Sequence, residues 1–401
     1  MPNRDVVILS AVRTPIGKYG GSFKDVHPTE LGAVAARAAI ESAGIEPSEV
    51  DEVWIGHGRQ AGSGPNPARQ VAFRAGLPDT VVAQTINKAC ASGLQALASG
   101  AQAILLGEAD VVLVGGIESM SRMPHMIDSN AARWGHRMGH VALVDAMYRD
   151  GFRCPLSNLI MGETAEVLAR QYGITRADSD SYALESQRRA EVAIKAGKFR
   201  DEIVPVEVTG RDGETETIDS DEHPRFGLTI KSLKKLTPVF DEVEGQPGIV
   251  TAGSSSGITD GGAALMLTTA DRAKLMGRVP LAKLSGWASA GVDPRIMGIG
   301  PVPAIHKLCQ RLDLPVDTFD LVELNEAFAA QVLAVLRDVP INLDRLNVNG
   351  GAIALGHPIG CTGSRIVVTL LHEMRRRAAF RGLATLCVSG GMGMALAVER
   401  P

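Results

Sequence analysis

The chain has 401 residues, of which 45% are hydrophobic, 21% charged and only 4% aromatic, with 44 glycines. This length and composition predict a globular α/β protein large enough for two or three packed units. The formal net charge of −4 argues against a nucleic-acid partner, and no apolar run reaches the ~20 residues of a membrane span.

The cysteines indicate the redox environment. The sequence has five, Cys90, Cys154, Cys309, Cys361 and Cys387, which is an odd number without a Cys-x-x-Cys pair. This spacing predicts neither a disulfide framework nor a zinc site. We therefore expect a cytoplasmic protein with free thiols.

The first 121 residues alternate apolar strands with helices. Such alternation is typical of a parallel sheet covered on both faces. The expected strands are residues 6–10, 53–55 and 111–114, and the expected helices are residues 29–43, residues 68–75 and a segment that begins near Cys90.

Cys90 follows a polar, loop-like stretch from Thr85 and precedes an Ala- and Leu-rich run. Apolar residues recur in that run at the spacing of one buried helical face: Leu94, Leu97, Ala98, Ala101, Ile104 and Leu105. A thiol at a helix N-terminus loses its proton more readily, because the dipole and the free N–H groups favour an anion. The alternative is that Cys90 packs as a small hydrophobic residue.

Residues 122–251 are rich in Met, Arg, His, Asp and Glu, and their first third shows no alternation of strands and helices. This change in composition predicts an inserted subdomain. It is expected to contain a charged helix over 177–196 and a hairpin of residues 203–208 and 214–218 around Arg211. His136 and His140 have the spacing of two metal ligands on a helix, but adjacent glycines argue against a helix and no third ligand is apparent. No metal site is therefore expected.

The last part of the chain repeats the order of the first. The matching segments are residues 281–286, 320–324, 326–335, 347–374 and 384–388. We therefore predict two similar α/β halves, residues 1–121 (completed by about 252–274) and 275–401. Two such halves would pack in five layers, with the functional residues where their Gly-rich loops meet.

Four polar or reactive side chains lie at equivalent loop positions of the two predicted halves: Cys90, Asn325, His357 and Cys387. His357 lies among glycines, where backbone can approach a ligand closely, although a lone histidine in a loop is more often structural. Two thiols, an imidazole and an amide together suggest a nucleophile, a base, a proton shuttle and an oxyanion donor. That set suits acyl transfer through a thioester.

Five motifs, in order along essentially the whole chain, resemble the signatures of thiolases, the acetyl-CoA acyltransferases. They are Asn87-Lys-Ala-Cys-Ala-Ser-Gly93, Gly115-Gly-Ile-Glu-Ser-Met-Ser121, Asn325-Glu-Ala-Phe-Ala-Ala-Gln331, Asn349-Gly-Gly-Ala-Ile-Ala-Leu-Gly-His-Pro-Ile-Gly360 and Cys387-Val-Ser-Gly-Gly-Met-Gly393. The resemblance implies the thiolase fold. This fold has two similar βαβαβαββ halves in a five-layered α/β/α/β/α core, with an inserted loop subdomain.

The resemblance also implies a ping-pong reaction, either thiolysis of 3-oxoacyl-CoA or the reverse Claisen condensation of acetyl-CoA. Cys90 would carry the acyl group, and His357 would take the proton of its thiol. Cys387 would exchange a proton with the substrate α-carbon. Asn325 would hold a water that, with His357, stabilises an enolate-like oxygen, while the backbone N–H groups of Cys90 and Ser389 form a second oxyanion pocket.

By the same resemblance, the partners are acyl-CoA and coenzyme A, with no permanently bound cofactor. The residues expected to contact coenzyme A or substrate are Met161, Arg225, Ser232, Phe240, Ala252, Ser256 and Phe328. Family members are usually dimers or tetramers, so we expect a homodimer or homotetramer, with residues 133–147 supplying tetramer contacts.

Three positions depart from the common family pattern. Ile160 stands where short-chain biosynthetic members often carry His, Ser254 replaces a common Asn, and Ser389 replaces a common Gly. Ile160 is a candidate acyl-pocket residue, and its apolar side chain predicts that substrates longer than acetoacetyl-CoA are accepted. Ser389 is itself the residue whose backbone N–H is one of the two expected oxyanion donors.

Three alternatives remain open. A decarboxylating ketoacyl synthase would share the fold but would lack the second thiol, Cys387. A cysteine hydrolase would need a second base to activate water, and none is indicated. A thiolase-like coenzyme A-binding protein without catalysis would be expected to have lost Cys90, His357 or Cys387, all of which are present.

Overall fold

The computed structural model describes residues 5–210 and 212–401. The strands are β1 (Val6–Arg13), β2 (Gly17–Lys18), β3 (Glu52–His57), β4 (Val82–Ile86), β5 (Val111–Ser119), β6 (His125–Met126), β7 (Val144–Asp145), β8 (Val206–Thr209), β9 (Thr215–Ile218), β10 (Glu242–Val243), β11 (Gln246–Pro247), β12 (Thr259–Thr269), β13 (Ala282–Gly291), β14 (Leu321–Leu324), β15 (Arg381–Val388) and β16 (Met392–Glu399). The helices are α1 (Pro28–Ala43), α2 (Pro67–Arg74), α3 (Ser92–Leu106), α4 (Ser129–Trp134), α5 (Met161–Gln171), α6 (Arg176–Lys195), α7 (Ile230–Lys234), α8 (Ala270–Leu275), α9 (Pro301–Leu312), α10 (Ala329–Asp338), α11 (Ala352–Leu355) and α12 (Ile359–Arg377).

The N-terminal half forms a mixed sheet in the order β4-β3-β5-β12-β1. Strands β4, β3 and β5 run parallel, and β12 pairs antiparallel with β5 and β1. Every residue of β5 and of β12 is buried, because helices or the other half cover both faces.

The C-terminal half repeats this arrangement with the order β14-β15-β16-β13. β14 and β15 are parallel, and β16 pairs antiparallel with β15 and β13. A parallel bridge between Val322 and Leu346 stands where β4 stands in the first half. The predicted duplication of one α/β unit is thus confirmed in the strand order.

The hydrophobic clusters show the layers. A central cluster joins α3 and α12 to both sheets, a second packs α1 and α2 on the outer face of the first sheet, and a third packs α9 and α10 on the outer face of the second. The order α1/α2, sheet, α3/α12, sheet, α9/α10 gives the five layers predicted from the sequence. Both sheets meet where β1 pairs with β13 over Val7 and Ile8.

Several elements were missed or misplaced by the sequence patterns. Thr85 and Ile86, expected in a loop, belong to β4, and α10 begins at Ala329 rather than Glu326. Helices α5 and α9 and strands β12 and β16 were not predicted. β12 was missed because Gly261 and Gly262 interrupt its apolar run, which reads as a loop or bulge.

The middle segment contains the predicted charged helix, α6, and the predicted hairpin, β8 with β9; Arg211 at its turn lies outside the described residues. Helix α4 ends at Trp134, so His136 and His140 do not share a helical face. Within the described chain, no group of three or more His, Cys, Asp or Glu side chains could hold a metal ion.

In the described part of the chain, one segment, Ala89–Leu106, could cross a membrane by length and composition alone. It corresponds to α3 and the turn before it, and 61% of it is buried inside the fold. Such burial is typical of the core helix of a folded domain.

Candidate active site

Cys90 lies in a tight turn between β4 and the first residue of α3. The preceding Ala89 has φ +45°, which costs energy for a residue with a Cβ. Side chains hold the turn: the Asn87 carbonyl accepts from the Ala89 N–H at 3.0 Å, and the Ser92 hydroxyl donates to the Ala89 carbonyl at 2.6 Å. This strained, well-bonded turn fixes the thiol at the N-terminal end of α3.

Helices α3 and α12 approach so closely that only glycine fits between them. A Cβ on Gly93 would lie 2.7 Å from the Ser364 hydroxyl oxygen, and one on Gly363 would lie 2.2 Å from the Leu94 nitrogen. Cys90 precedes α3 and His357 precedes α12. The close packing therefore brings the loop of one half against the loop of the other.

The side-chain partners of His357 indicate its tautomer. Its Nδ1 lies 2.6 Å from the Thr362 hydroxyl oxygen, and that hydroxyl donates to the Pro358 carbonyl at 3.0 Å. Thr362 can therefore only accept from His357, so Nδ1 carries the proton. Nε2 is left with a free lone pair, which the Asn325 amide approaches at 3.5 Å.

The loop that carries His357 is anchored by a carboxylate of the other half. Glu118, at the end of β5 and fully buried, accepts from the Gly360 N–H at 2.9 Å. The second oxygen of Glu118 lies 3.1 Å from Nε2 of His57, which is also fully buried. The Glu118 oxygen satisfies a backbone N–H at the N-terminus of α12 that has no partner within the helix, so Glu118 anchors the loop.

Asn325 follows β14, and its neighbour Glu326 fixes the surrounding loops. The Glu326 carboxylate accepts from the hydroxyls of Tyr182 and Ser186 at 2.9 and 2.6 Å and from the Ile353 N–H at 3.1 Å. Asn325 is buried, and its side-chain oxygen has no partner in the described structure. An unsatisfied buried amide oxygen is suited to a water or a substrate group.

Cys387 lies within β15, and Ser389 begins the turn that follows. Positive φ values in this turn fall on Gly390 and Gly391, at +88° and +84°, and not on Ser389. The backbone N–H groups of Ser389 and of Cys90 itself favour the thiolate form of Cys90 and so act to lower its pKa. Serine is therefore accommodated without backbone strain at the expected donor position.

Burial controls the electrostatics of these groups. It raises the pKa of Cys90, an effect opposed by the Arg59 guanidinium and by the two backbone N–H groups. Burial also raises the pKa of Cys387, and the neighbouring Cys90 adds to this effect. Burial, with the positive charges of Arg365 and Arg59, lowers the pKa of His357 to about 3. Both thiols and the imidazole are therefore neutral at rest.

A cavity of about 680 Å³ connects these groups to the surface. Most of the residues expected in the site line it: Cys90, His357, Cys387, Ser389, Ile160, Met161, Arg225, Phe240, Ala252, Ser256 and Phe328. Asn325 reaches the site through His357. Ser232 is not among the lining residues; it is exposed on α7, and its hydroxyl lies 2.9 Å from that of Thr229.

The two remaining departures from the family pattern differ in position. Ile160 lines the cavity at the start of α5, where its N–H donates to Glu163 at 2.6 Å. Ser254 is buried away from the cavity, and its hydroxyl oxygen accepts from the Thr251 N–H at 3.0 Å. Ser254 therefore shapes its own loop rather than the chemistry.

The sequence patterns missed an arginine and two aromatic side chains that line the cavity. Arg59 follows β3, and Tyr148 and Phe152 belong to a π-helical turn over Met147–Phe152. The tyrosine and phenylalanine rings pack edge to face with centroids 5.5 Å apart. Arg59 follows the carboxyl end of a parallel strand, which is where ligands bind in α/β sheets. Its position could therefore have identified it as a site residue.

Two family models match the chain in tandem, the thiolase N-terminal domain over residues 6–271 and the thiolase C-terminal domain over residues 278–400. The acetyl-CoA acetyltransferase of Cupriavidus necator is 51% identical over 396 residues, which is 99% of each chain. The structure of the Bacillus anthracis acetyl-CoA acetyltransferase matches with a TM-score of 0.95 at 45% identity over 99% of each chain. The human mitochondrial 3-ketoacyl-CoA thiolase in complex with CoA matches with a TM-score of 0.94 at 42% identity, over 99% of this chain and 98% of that one.

Proposed function

The chain belongs to the thiolase family, and we propose that it is an acyl-CoA C-acyltransferase that works through an acyl-Cys90 intermediate. The reaction is thiolysis of a 3-oxoacyl-CoA or the reverse Claisen condensation of acetyl-CoA. The observation that carries the proposal is that Cys90, His357 and Cys387, from three separate elements, line one cavity.

In the first half-reaction of thiolysis, Nε2 of His357 takes the proton of the Cys90 thiol. The sulfur attacks the 3-oxo carbon, and the bond between that carbon and the α-carbon breaks. The acyl group stays on Cys90, and the α-carbon takes a proton from the Cys387 thiol as acetyl-CoA forms. The free lone pair on Nε2 of His357 supports its assignment as the base.

Negative charge develops on two oxygens during these steps. The backbone N–H groups of Cys90 and Ser389 stabilise the oxygen of the tetrahedral intermediate; their effect in lowering the pKa of the Cys90 thiol supports this role. His357 and the amide of Asn325, 3.5 Å apart, serve the enolate-like oxygen, with a water held by Asn325.

In the second half-reaction, the thiol of coenzyme A attacks the acyl-Cys90 carbonyl. Its proton returns Cys387 to the thiol form, and the departing Cys90 sulfur regains its proton from His357. Both thiols and the imidazole are then neutral again, so the enzyme is ready for another turnover. The raised pKa values of both thiols agree with a neutral resting state.

Coenzyme A reaches Cys90 along the apolar side of the cavity. Gly162 leaves room for Phe240, because a Cβ there would lie 2.6 Å from the Phe240 ring. The Ser256 N–H donates to the Ala327 carbonyl at 3.0 Å, which holds the two pantetheine-lining loops together. Exposed Arg225 at the cavity is suited to a phosphate or the adenine.

Acylation of Cys90 tests the proposal directly. Incubation with acetyl-CoA should add the mass of one acetyl group, as measured by intact-protein mass spectrometry, and free coenzyme A should remove it. Cys90→Ala should show no adduct, whereas Cys309→Ala, a cysteine of α9 outside the cavity, should behave as the natural protein. Absence of the adduct on the natural protein would favour a coenzyme A-binding protein without catalysis.

We also propose a homodimer or homotetramer. Exposed apolar side chains support it, since Trp134, Met138 and Leu143 are 80%, 87% and 71% exposed. All three lie in the segment 133–147 expected to supply tetramer contacts, and exposed apolar patches are typical of interfaces. Light scattering on the purified protein would give the mass, and a monomer at micromolar concentration would contradict the proposal.

A cytoplasmic location is proposed on the need for free thiols. All five cysteines are free in the structure, and the reaction requires Cys90 and Cys387 to remain reduced. Cell fractionation with an antibody to the protein would test this proposal, and recovery from an oxidising compartment would contradict it.

A further inference from the structure

Arg59 is a buried cation without a carboxylate partner in the described structure. It is only 9% exposed, and none of the ion pairs formed by the described residues includes it. Its Nη2 donates to the Gly151 carbonyl at 2.7 Å, and its Nε has no hydrogen-bond partner. Burying a charge without a counter-charge is costly. The Cys90 thiol, whose pKa Arg59 lowers against the effect of burial, is neutral at rest, so the resting site places no anion beside Arg59.

The position of Arg59 indicates which anion could reach it. The side chain lines the catalytic cavity, and a Cβ on Gly151 would lie 3.4 Å from its Nε and 3.7 Å from the Met147 sulfur. Met147 belongs to the apolar cluster that packs against Cys90, together with Met120 and Ile359. Arg59 therefore lies beside the apolar cluster that contacts Cys90, where the acyl group must be held.

No carboxylate of the described residues forms an ion pair with Arg59. Glu118, a fully buried acid at the end of β5, accepts from the Gly360 N–H with one oxygen, and its other oxygen lies 3.1 Å from Nε2 of His57. The apolar cluster beside Cys90 also includes Phe152 and Ile258, and both line the cavity. An incoming acyl chain would thus meet a largely apolar wall with Arg59 beside it.

On the basis of the proposed function, we infer that the substrate is a 3-oxoacyl-CoA whose acyl chain ends in a carboxylate, and that Arg59 binds that carboxylate. The guanidinium pairs naturally with a carboxylate because both groups are planar and can form two parallel hydrogen bonds. Nη1, whose one hydrogen bond is the long contact to the Gly58 carbonyl at 3.5 Å, is the donor left for the carboxylate. Arg59 is then the specificity-determining residue, and the apolar wall accommodates the methylenes between the 3-oxo group and the carboxylate.

Two six-carbon thioesters that differ only at the chain end test this inference. They are 3-oxoadipyl-CoA, which ends in a carboxylate, and 3-oxohexanoyl-CoA, which ends in a methyl group; acetoacetyl-CoA serves as the short reference. Steady-state thiolysis should give the natural protein a kcat/KM at least roughly tenfold higher for 3-oxoadipyl-CoA. Arg59→Leu should lower that value on the order of a hundredfold or more, because the carboxylate would be buried without a partner.

Because Arg59 also acts on the pKa values of Cys90 and His357, the measured quantity is the ratio of the two thioesters. Arg59→Leu should lower kcat/KM for 3-oxohexanoyl-CoA roughly tenfold less than for 3-oxoadipyl-CoA, and Arg59→Lys should keep part of the preference for the carboxylate. Arg278→Leu is the matched control, since Arg278 is exposed, lies outside the cavity and also donates to a glycine carbonyl, that of Gly44 at 3.3 Å. It should not change the ratio of the two substrates.

Preference of the natural protein for the methyl-ended thioester would overturn the inference. An equal loss of kcat/KM on both substrates in Arg59→Leu would also overturn it, because it would assign Arg59 to the thiol chemistry. Should Arg59→Leu fail to fold, the substrate ratios of the natural protein and of Arg59→Lys decide. Thiolysis of none of the three thioesters would instead contradict the proposed function.

Discussion

Individual side chains decide the protonation states on which the chemistry depends, and His357 gives a prediction that thermodynamics can check. Its pKa is lowered to about 3 by burial and by two arginines, against an ordinary value near 6.5. Between about pH 6.5 and about pH 3 the unfolded chain binds a proton that the folded chain does not. The contribution of His357 to the free energy of unfolding is therefore full above about pH 6.5 and falls as the pH is lowered through that window.

The expected size is roughly 2 kcal/mol lost between pH 7.5 and pH 5. His357→Asn cannot be protonated, so its free energy of unfolding should depend on pH less steeply by that amount, as measured by urea unfolding at both pH values. Equal pH dependence in the two proteins would show that His357 is protonated in the folded state.

Cys387 should separate the two kinds of step in the reaction. As the acid that serves the α-carbon, it matters more for carbon–carbon cleavage than for acetylation of Cys90 by acetyl-CoA, because a coenzyme A thiolate leaves without a proton far more readily than a carbanion does. Cys387→Ala should therefore still form the acetyl adduct, whereas thiolysis should fall by roughly 10²-fold or more. Cys309→Ala is the control and should retain both. If the variant lost acetylation and thiolysis equally, the division of labour between the two thiols would be wrong.

Ser389 should be tolerated as an oxyanion donor. Its backbone is not in the left-handed region, so glycine offers no relief of strain, and its N–H already acts to lower the pKa of the Cys90 thiol. Ser389→Gly should change kcat/KM for thiolysis by less than roughly tenfold, whereas loss or repair of a donor would change it by about 10²–10³. A gain of two orders of magnitude would indicate a damaged pocket in the natural protein.

At this scale the sequence identified the reacting groups more readily than the groups around them. Cys90, His357 and Cys387 stand in dense motifs of glycine and small residues. Arg59 stands alone in a Gly-rich stretch, and a lone arginine reads as a solvated side chain until its burial is known. Ser232 shows the converse, because the family resemblance predicts a coenzyme A contact there but the side chain lies outside the cavity.

Secondary-structure elements position the site through close contact of α3 and α12, and Gly363 tests this. A Cβ there would lie 2.2 Å from the Leu94 nitrogen, so Gly363→Ala must push the two helices apart. Cys90 and His357 precede these helices, and a displacement near 1 Å between reacting groups can cost about 10²-fold in rate. We expect that loss in kcat/KM together with a destabilisation of about 1–3 kcal/mol.

Gly291→Ala is the control for this effect, because the nearest atom to its added Cβ, the Gly391 oxygen, lies 3.8 Å away. It should keep both stability and activity near those of the natural protein. Full activity in Gly363→Ala would show that the helices can separate without moving Cys90 and His357.

Elements with a strong apolar period were predicted well, and elements whose glycines or polar ends hide the period were not. The buried faces of α1 and α3 were legible because small apolar residues recur every three or four positions. β4 alternates weakly and is largely exposed or half-buried along its length. α10 starts late because Glu326 is engaged by side chains of distant elements, which local patterns do not report.

The whole molecule is two copies of one unit that share a middle layer. Repetition along the chain revealed the duplication, because strands and helices recur in the same order and the same strand order appears in both sheets. Helices α3 and α12 pack against both sheets through contacts between residues far apart in the sequence. This shared middle layer could be predicted only from the general rule that elements with apolar faces pack in layers.

A shared layer predicts that the two halves lose stability together. Leu97 of α3 is fully buried in the central cluster, which contains residues of both sheets, whereas Leu308 of α9 is fully buried in the outer cluster of the second half. Each change to Ala removes a similar side chain, at a cost of about 2–5 kcal/mol.

Leu97→Ala should lower the hydrogen-exchange protection of β5 and β15 alike, because both strands pack on the layer that it loosens. Leu308→Ala should lower protection chiefly in the second half. Native-state hydrogen exchange with mass spectrometry distinguishes the two patterns, and a loss confined to the first half in Leu97→Ala would mean that each half is stabilised independently.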